Sequence, residues 1–581
     1  MAAKTTARFR TGFTLTVGTL LVIFYLLSLT AALEKAPTYD ESLHLFAGYS
    51  HLKWGDFRVN PEHPPLAKAL AALPLLVINI DTSGIPPLQR NVVQSAKDFG
   101  WVLAARFVLD NRGQQNLFLY PKLVMIGLAA VLGVFVFLWA RELFGIAAGI
   151  IALALYCFDP NILAHSAIIH TDIPFTLCFF AGSYFYWRTA QRLTWGNLFG
   201  TSLFFALSAV VKFSFLVILP VWILLGILQV FSARPHQSQI TSPELTYKPG
   251  QKMALQLVIL GSALIAAYLS IWAAYGFRFD AFGGAIDQLR IGRLVTKESW
   301  LSVLAILNAK YFMLPEAWLY GLLDAIRASD RESYLLGQIY LHGTWLYFPV
   351  AFVVKTPFPT MVALLVAIVL VVRRRSPSQA DLYLLLPAII FFSLAVCSKF
   401  NIGLRHILPI YPFLFVWIGG TVAKVWASRS RTARWGVSLL GIWLLISTLR
   451  ISPDYLAFFN ELAGGPGSGH TILVDSNLDW GQDLKGLRNW MSDHGISRIQ
   501  LAYFGTLDPA YYGIEADPLP GTLTVQSRPK LESTPAPSHI AISATYLKGL
   551  YLWNRDQYAS FRQQKPVAII GHSIWVFRLN P

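Results

Sequence analysis

Cysteine is scarce: Cys157, Cys178 and Cys397 are the only three, and each lies inside an apolar run with no ligand spacing around it. They read as small core residues, which excludes a disulfide framework or a thiolate metal cluster. Charge is scarce too. Charged residues make up 13% of the chain, where soluble domains carry about 25%, so an ordinary water-soluble fold is excluded. Basic side chains outnumber acidic ones by 47 to 31, yet they fall in short loops between apolar runs. That pattern fits the positive-inside rule and not a nucleic-acid binder. The C-terminal segment holds no Gly-x-Gly-x-x-Gly fingerprint and no phosphate-loop Lys-Ser/Thr, so no nucleotide is assigned to it. No inverted internal repeat of the transporter kind is visible either.

Hydrocarbon is what the chain has in abundance. Hydrophobic residues are 55% of the whole and gather in runs near the ~20 residues that span a bilayer. Lys4, Arg8 and Arg10 precede the first run, Phe13 to Leu33, which is too long for a signal-peptide core and places the N-terminus in the cytoplasm. Further basic clusters (Arg141; Arg188 and Arg192; Arg234, Lys248 and Lys252; Arg373-Arg374-Arg375; Arg429, Arg431 and Arg434) mark inner loops. The alternation predicts a polytopic all-α membrane domain over residues 1–450 with about eleven transmembrane helices, multi-pass in the plasma (inner) membrane. Two outer loops fall at about 34–115 and 276–342, and Leu66 to Ile80 reads as a helix lying at the interface. After Arg450 the composition turns soluble. Thr471 to Val474, Ile499 to Phe504, Ile540 to Ala544, Val567 to Ile570 and Ile574 to Arg578 read as strands, with a helix over Leu484 to Met491. Residues 451–581 are therefore expected to form a small extracytoplasmic α/β domain.

The chemistry concentrates where the first run ends. Asp40 and Glu41 sit just beyond it in Pro37-Thr38-Tyr39-Asp40-Glu41-Ser42-Leu43-His44, and acids so near hydrocarbon usually mark function. On the same outer face the topology collects Asp172, the imidazoles of His44, His63, His170 and His406, and the cations Lys212, Lys355, Lys399 and Arg405. A carboxylate within hydrogen-bond reach of a hydroxyl or amine serves as general base. Cations at the same depth suit a phosphate leaving group. A phosphate at the interface with a long hydrocarbon tail is a polyprenyl phosphate, so the arrangement suggests group transfer from such a carrier to a protein, lipid or glycan acceptor, with no nucleic acid involved. Each residue also has a plainer reading. Asp40 can be solvated loop, His44 and His170 structural hydrogen-bonders, Lys212 and Lys355 snorkelling helix ends, and Arg405-His406 half of an ion pair. A transporter or lipid flippase is the alternative for the whole chain, and a non-catalytic scaffold a third.

The ordered series of motifs carries a resemblance. Tyr39-Asp40-Glu41 is followed by His63-Pro64-Pro65-Leu66, then Asp159-Pro160-Asn161-Ile162-Leu163-Ala164-His165-Ser166 with Thr171-Asp172, then Val211-Lys212-Phe213-Ser214. Later come Leu314-Pro315-Glu316, Lys355-Thr356-Pro357, Gly403-Leu404-Arg405-His406-Ile407-Leu408-Pro409, Phe459-Asn460-Glu461 and Ser476-Asn477-Leu478-Asp479-Trp480-Gly481-Gln482-Asp483. This series resembles the GT-C glycosyltransferases, nearest to glycosyltransferase family 39, related to the protein O-mannosyltransferases and the aminoarabinose transferase of lipid A. The resemblance implies a GT-C fold, a polyprenyl-phosphate-linked sugar as donor and inversion at the anomeric carbon. It makes Asp40 the catalytic base, Glu41 its acidic neighbour and Asp172 a group orienting acceptor or cation. From their side and depth alone, and not from the resemblance, Lys212, Lys355, Arg405 and His406 are expected at the donor phosphate, with His44, His63 and His170 as acceptor or structural support. No cofactor is certain; Asp40 and Asp172 are the pair that would share a divalent metal ion.

Overall fold

A computed structural model describes residues 2–85, 96–114, 116–231, 237–238, 248–283, 289, 291, 300–328, 330–374, 378–522 and 537–579. Arg234, Arg375 and the parts of the two outer loops at 86–95 and 292–299 lie outside the described residues.

Among the described residues up to 450 the helices, in chain order, are α1 (Ala2–Glu34), α2 (Glu41–Trp54), α3 (Leu66–Ala72), α4 (Ala96–Asp110), α5 (Leu119–Phe144), α6 (Ile146–Cys157), α7 (Pro160–Ser166), α8 (Asp172–Gln191), α9 (Trp195–Ala209), α10 (Ile218–Val230), α11 (Pro249–Ala274), α12 (Trp300–Tyr311), α13 (Glu316–Arg327), α14 (Tyr347–Lys355), α15 (Phe358–Arg373), α16 (Gln379–Cys397), α17 (Tyr411–Ala427) and α18 (Arg431–Arg450), and beyond them Leu484–Asp493 forms the helix expected there. Among the described residues seven helices are long and apolar enough to cross a membrane, or nine if each bent pair counts as one span. The two remaining apolar runs of the sequence are α8 and α9. The first is a 20-residue helix buried along nearly its whole length, and its Asp172, Ser183, Arg188 and Gln191 dilute its hydropathy. The second has only 15 residues.

The bends have local causes. The α6–α7 pair turns by 65° at Asp159-Pro160, where the Asp159 carboxylate accepts from the N–H groups of Asn161 and Ile162 at 2.9 and 3.1 Å. A new helix thus starts from a capping acid and a proline at its first position. The α14–α15 pair turns by 111° at Thr356-Pro357, because the residue before proline is pushed out of the helical region. Between α9 and α10 the backbone is extended at Lys212 and restarts as the 3₁₀ turn Phe213–Val217.

Outside the bundle, α3 and a following 3₁₀ turn, Leu73–Leu76, form the expected short apolar helix. It lies against α2 so closely that a Cβ on Gly48 would sit 2.0 Å from the Lys68 carbonyl oxygen. At the C-terminal end a five-stranded sheet runs in the order Glu515–Pro518, Arg498–Ala502, His539–Ser543, Ile574–Arg578, Ala568–Ile570. The first three strands are parallel and the last two join antiparallel. Thr471 to Val474 is not a strand, contrary to expectation. Leu473 and Val474 are buried in two different clusters, and the chain then turns through Asp475 in the left-handed region, φ 59°. Glu515–Pro518 was not expected as a strand; at the sheet edge it needs no apolar alternation.

Candidate active site

Two turns and two breaks in the bundle bring the charged groups together. Asp40 occupies the position before α2, but its side chain does not cap the helix. Its backbone is set from outside, since the N–H of Tyr39 donates to the Trp480 carbonyl at 2.8 Å and the Thr506 hydroxyl donates to the Tyr39 carbonyl. The carboxylate is therefore free to face His170, with Oδ2 3.4 Å from Nε2, and Arg405, 3.8 Å from Nη2. Its side chain keeps 23% of its surface exposed, against 5% for Arg405 and 2% for Asp172. Burial works against ionisation of Asp40, but contact with His170 and the charge of Arg405 outweigh it and bring the carboxyl down to about 2. Asp40 is the one acid of the cluster with an open side.

Behind it lies a buried network. Asp172 starts α8, pairing through Oδ1 with the Lys212 ammonium and through Oδ2 with His170 Nδ1 at 2.8 Å and Arg405 Nη1 at 3.6 Å. Arg405 Nη1 donates to His170 Nε2 at 2.9 Å, its Nε donates to the Ser476 hydroxyl at 3.2 Å, and its guanidinium lies 4.3 Å over the Trp480 ring. Two acids and two bases thus balance in formal charge within a site that excludes most water.

Of the expected residues, the structure brings together Asp40, Asp172, His170, Arg405 and Lys212. His44 stacks on His170 at 4.6 Å, and His63 meets both rings edge-on at 5.2 and 5.6 Å. Burial, with neighbouring imidazole and ammonium groups, holds His44 and His63 well below the usual histidine range. His406 packs against Phe400 at 5.1 Å, and its Nε2 is buried with no hydrogen-bond partner.

Two residues are placed elsewhere. Glu41 turns away from Asp40 into the interior: it accepts from the N–H groups of Thr38 at 2.6 Å and Ile169 at 3.0 Å, with the Lys122 ammonium 3.7 Å away. Adjacent positions at a helix start diverge by about 100°, so only one of the two acids can face the opening. Lys355 donates to the carbonyls of Leu456 and Asn477 at 2.8 and 2.6 Å and lies over Phe459. It stitches the segment after α18 to α14 and does not reach the cluster. Ser476 and Trp480 were missed as site residues, although both fall inside the last motif of the ordered series. Neither residue type advertises an ion site, and only the fold carries them to Arg405.

As for a metal, the expected Asp40–Asp172 pair is a poor donor set, because the Asp172 carboxylate is already engaged by Lys212, His170 and Arg405. The imidazoles are better placed: one nitrogen from each of His44, His63 and His170 lies within 4.8 Å of the others.

Residues 99–247 match the family model described as dolichyl-phosphate-mannose-protein mannosyltransferase. The fold is similar to that of ArnT from Cupriavidus metallidurans bound to undecaprenyl phosphate, at 11% identity over 97% of each chain with a TM-score of 0.47. It is similar to the archaeal oligosaccharyltransferase AglB from Archaeoglobus fulgidus in complex with an inhibitory peptide and a dolichol-phosphate, at 14% identity over 75% of this chain and 54% of that one, TM-score 0.39. The S. cerevisiae protein O-mannosyltransferase Pmt1-Pmt2 complex bound to the sugar donor matches at 15% identity over 50% of this chain and 37% of that one, TM-score 0.33. No curated protein matches the chain. The chain is a multi-pass membrane protein, and its residues 99–247 are similar to the dolichyl-phosphate-mannose-protein mannosyltransferases.

Proposed function

We propose that this protein moves a sugar from a polyprenyl-phosphate carrier to an acceptor hydroxyl or amine, with Asp40 as general base and inversion at the anomeric carbon. The observation that carries the reading is a half-open carboxylate, Asp40, facing a buried guanidinium, Arg405, that still has donors to spare. At 3.8 Å from Asp40 and 3.6 Å from Asp172, Arg405 makes no bidentate clamp with either acid, so its fork remains available for a phosphate oxygen. A phosphate that takes up this charge leaves Asp40 less compensated and therefore more basic.

In the step itself, the acceptor O–H or N–H gives its proton to an Asp40 oxygen as the acceptor atom bonds to the sugar C1. The C1–O bond to phosphate breaks on the opposite face, and polyprenyl phosphate leaves with the bonding pair. Arg405, with Lys212 behind Asp172, stabilises the growing negative charge. Positioned proton transfer of this kind contributes about 10²–10⁴-fold in rate.

The test is purified protein in detergent, without any ion gradient, supplied with a polyprenyl-phosphate sugar and candidate acceptors. Release of polyprenyl phosphate matched by a glycosylated acceptor is expected. Translocation of a lipid or solute in vesicles, with no glycosidic bond made or broken, would replace this reading by the transporter one.

A further inference from the structure

We propose that Asp475 and Tyr551, both from the C-terminal segment, form a subsite for the hydroxyl groups of the transferred sugar; this rests on the carrier-sugar reading of the Asp40–Arg405 site. The Tyr551 hydroxyl donates to Asp475 Oδ2 at 2.6 Å, and Oδ1 accepts from the Ser476 N–H at 2.5 Å. A carboxylate has about four lone-pair positions, so each oxygen keeps room for a further donor. The position relative to the phosphate is set by the next residue: the Ser476 hydroxyl accepts from Arg405 Nε at 3.2 Å. The charges of Arg405 and Asp40 both act on Asp475. A sugar whose phosphate meets Arg405 and whose C1 faces Asp40 therefore has its ring beside Asp475.

Three observations separate this pair from ordinary packing. Asp475 is buried, and among the described residues no cation lies within ion-pair distance of it. Burial pushes its carboxyl up to about 6, because the bonds it accepts compensate its charge only in part. The other two acids of the segment are spent on the fold: Asp479 accepts from the Thr545 N–H at 2.8 Å, while Asp483 pairs with Lys35 at 2.6 Å and accepts from the Ser573 hydroxyl at 2.6 Å. Both members of the pair also hold left-handed backbone, with φ 59° at Asp475 and 62° at Tyr551. That region is uncommon for any residue with a side chain and an outlier for a bulky ring, and such strain gathers at ligand sites. Finally, the Tyr551 ring is 36% exposed and stacks on Phe504 at 5.7 Å, and Phe504 lies 5.3 Å from Tyr39, the neighbour of Asp40. The three rings make an aromatic wall from Asp40 to Asp475, against which the C–H face of a sugar packs while its hydroxyls reach the carboxylate.

The chemistry of the pair selects its ligand. An ionised carboxylate only accepts hydrogen bonds, so it repels a phosphate and takes O–H donors. A bare polyprenyl phosphate gains nothing from it, whereas a sugar hydroxyl gains a charge-assisted bond. A sugar that lacks or inverts that hydroxyl leaves the buried carboxylate unpaired, so the pair discriminates among sugars as well as binding them.

The experiment reads binding without turnover, using the full-length protein in detergent with undecaprenyl phosphate alone and with a panel of undecaprenyl-phosphate hexoses and pentoses. At least one sugar-bearing donor is expected to bind the parent more tightly than the bare carrier does. Asp475→Asn keeps the size and tolerates the left-handed backbone. It should lower the affinity for that donor about tenfold or more, the worth of a hydrogen bond to a charged group, and leave the bare carrier bound as in the parent. Tyr551→Phe should shift the donor in the same direction by less. Among deoxy forms of the same sugar, one should bind the parent and Asp475→Asn equally. Equal losses for donor and bare carrier would make Asp475 a mere support for Ser476 and Arg405 and overturn the subsite; so would a parent that binds every donor no better than the carrier. A parent that binds neither carrier nor any donor would overturn the transfer reading itself, and the subsite with it.

Discussion

Arg405 Nη1 donates to His170 Nε2 across 2.9 Å, and the same ring places its Nδ1 2.8 Å from Asp172 Oδ2. The guanidinium and the two acids are thereby tied through one imidazole, and a change at Arg405 is felt at both Asp40 and Asp172.

Arg405→Lys keeps the charge but loses the planar fork, the Trp480 stack and the bond to Ser476. Hydrogen bonds to charged groups are worth about 1.5–3 kcal/mol each. The expected outcome is a rise of about tenfold or more in KM for the lipid-phosphate donor, with acceptor KM much less affected. Steady-state kinetics with each substrate varied in turn decides it; equal shifts in both would remove Arg405 from the donor phosphate.

Glu41→Ala is expected to act on stability first. It strips the partner from two buried N–H groups and from the Lys122 ammonium, and breaking a buried charged pair costs about 3–5 kcal/mol. A large fall in Tm in detergent, partly restored by adding Lys122→Met, is the predicted pattern. Loss of activity with an unaltered melt would show instead that Glu41 acts in the chemistry.

Lys355 provides the matching case. Lys355→Met leaves the Leu456 and Asn477 carbonyls without their donor, at about 1–3 kcal/mol for each unsatisfied group. Thermal stability should fall while the donor KM of the folded fraction stays near the parent value. A raised donor KM at unchanged stability would return Lys355 to the phosphate site.

The C-terminal segment also predicts a pH dependence. Burial pushes Asp479 up to about 7, only partly opposed by the hydrogen bond it accepts from the Thr545 N–H. A carboxyl whose folded pKa exceeds its unfolded value of about 3.9 holds its proton in the fold, so the folded chain binds more protons between those two values. Stability is therefore retained at the acid end and declines as pH rises from about 4 to 7, by up to about 1.4 kcal/mol per pH unit. Asp479→Asn should flatten that part of the Tm–pH curve; an identical slope in parent and variant would contradict the assignment.

How much of this was legible beforehand varies by residue. Apolar run length gives α1, α5, α11 and α16 directly, because a bilayer demands it. The acid and base positions at span ends were also legible, and Asp40, Asp172, Lys212 and Arg405 do meet in one cluster of ion pairs. Orientation was not. Glu41 follows Asp40 immediately and points elsewhere, and Lys355 lies at a span end but finds two carbonyls. Ser476 and Trp480 were hidden for a different reason: more than 70 residues separate Arg405 from both, and no local periodicity encodes so distant a contact.

The most direct measurement is transfer by Asp40→Asn, a variant of nearly equal size that keeps a hydrogen-bonding side chain but cannot take a proton. The account predicts a fall in kcat of at least about 10²-fold, with membrane insertion, thermal stability and donor binding close to those of the parent. An Asp40→Asn protein that transfers sugar at the parental rate would contradict it.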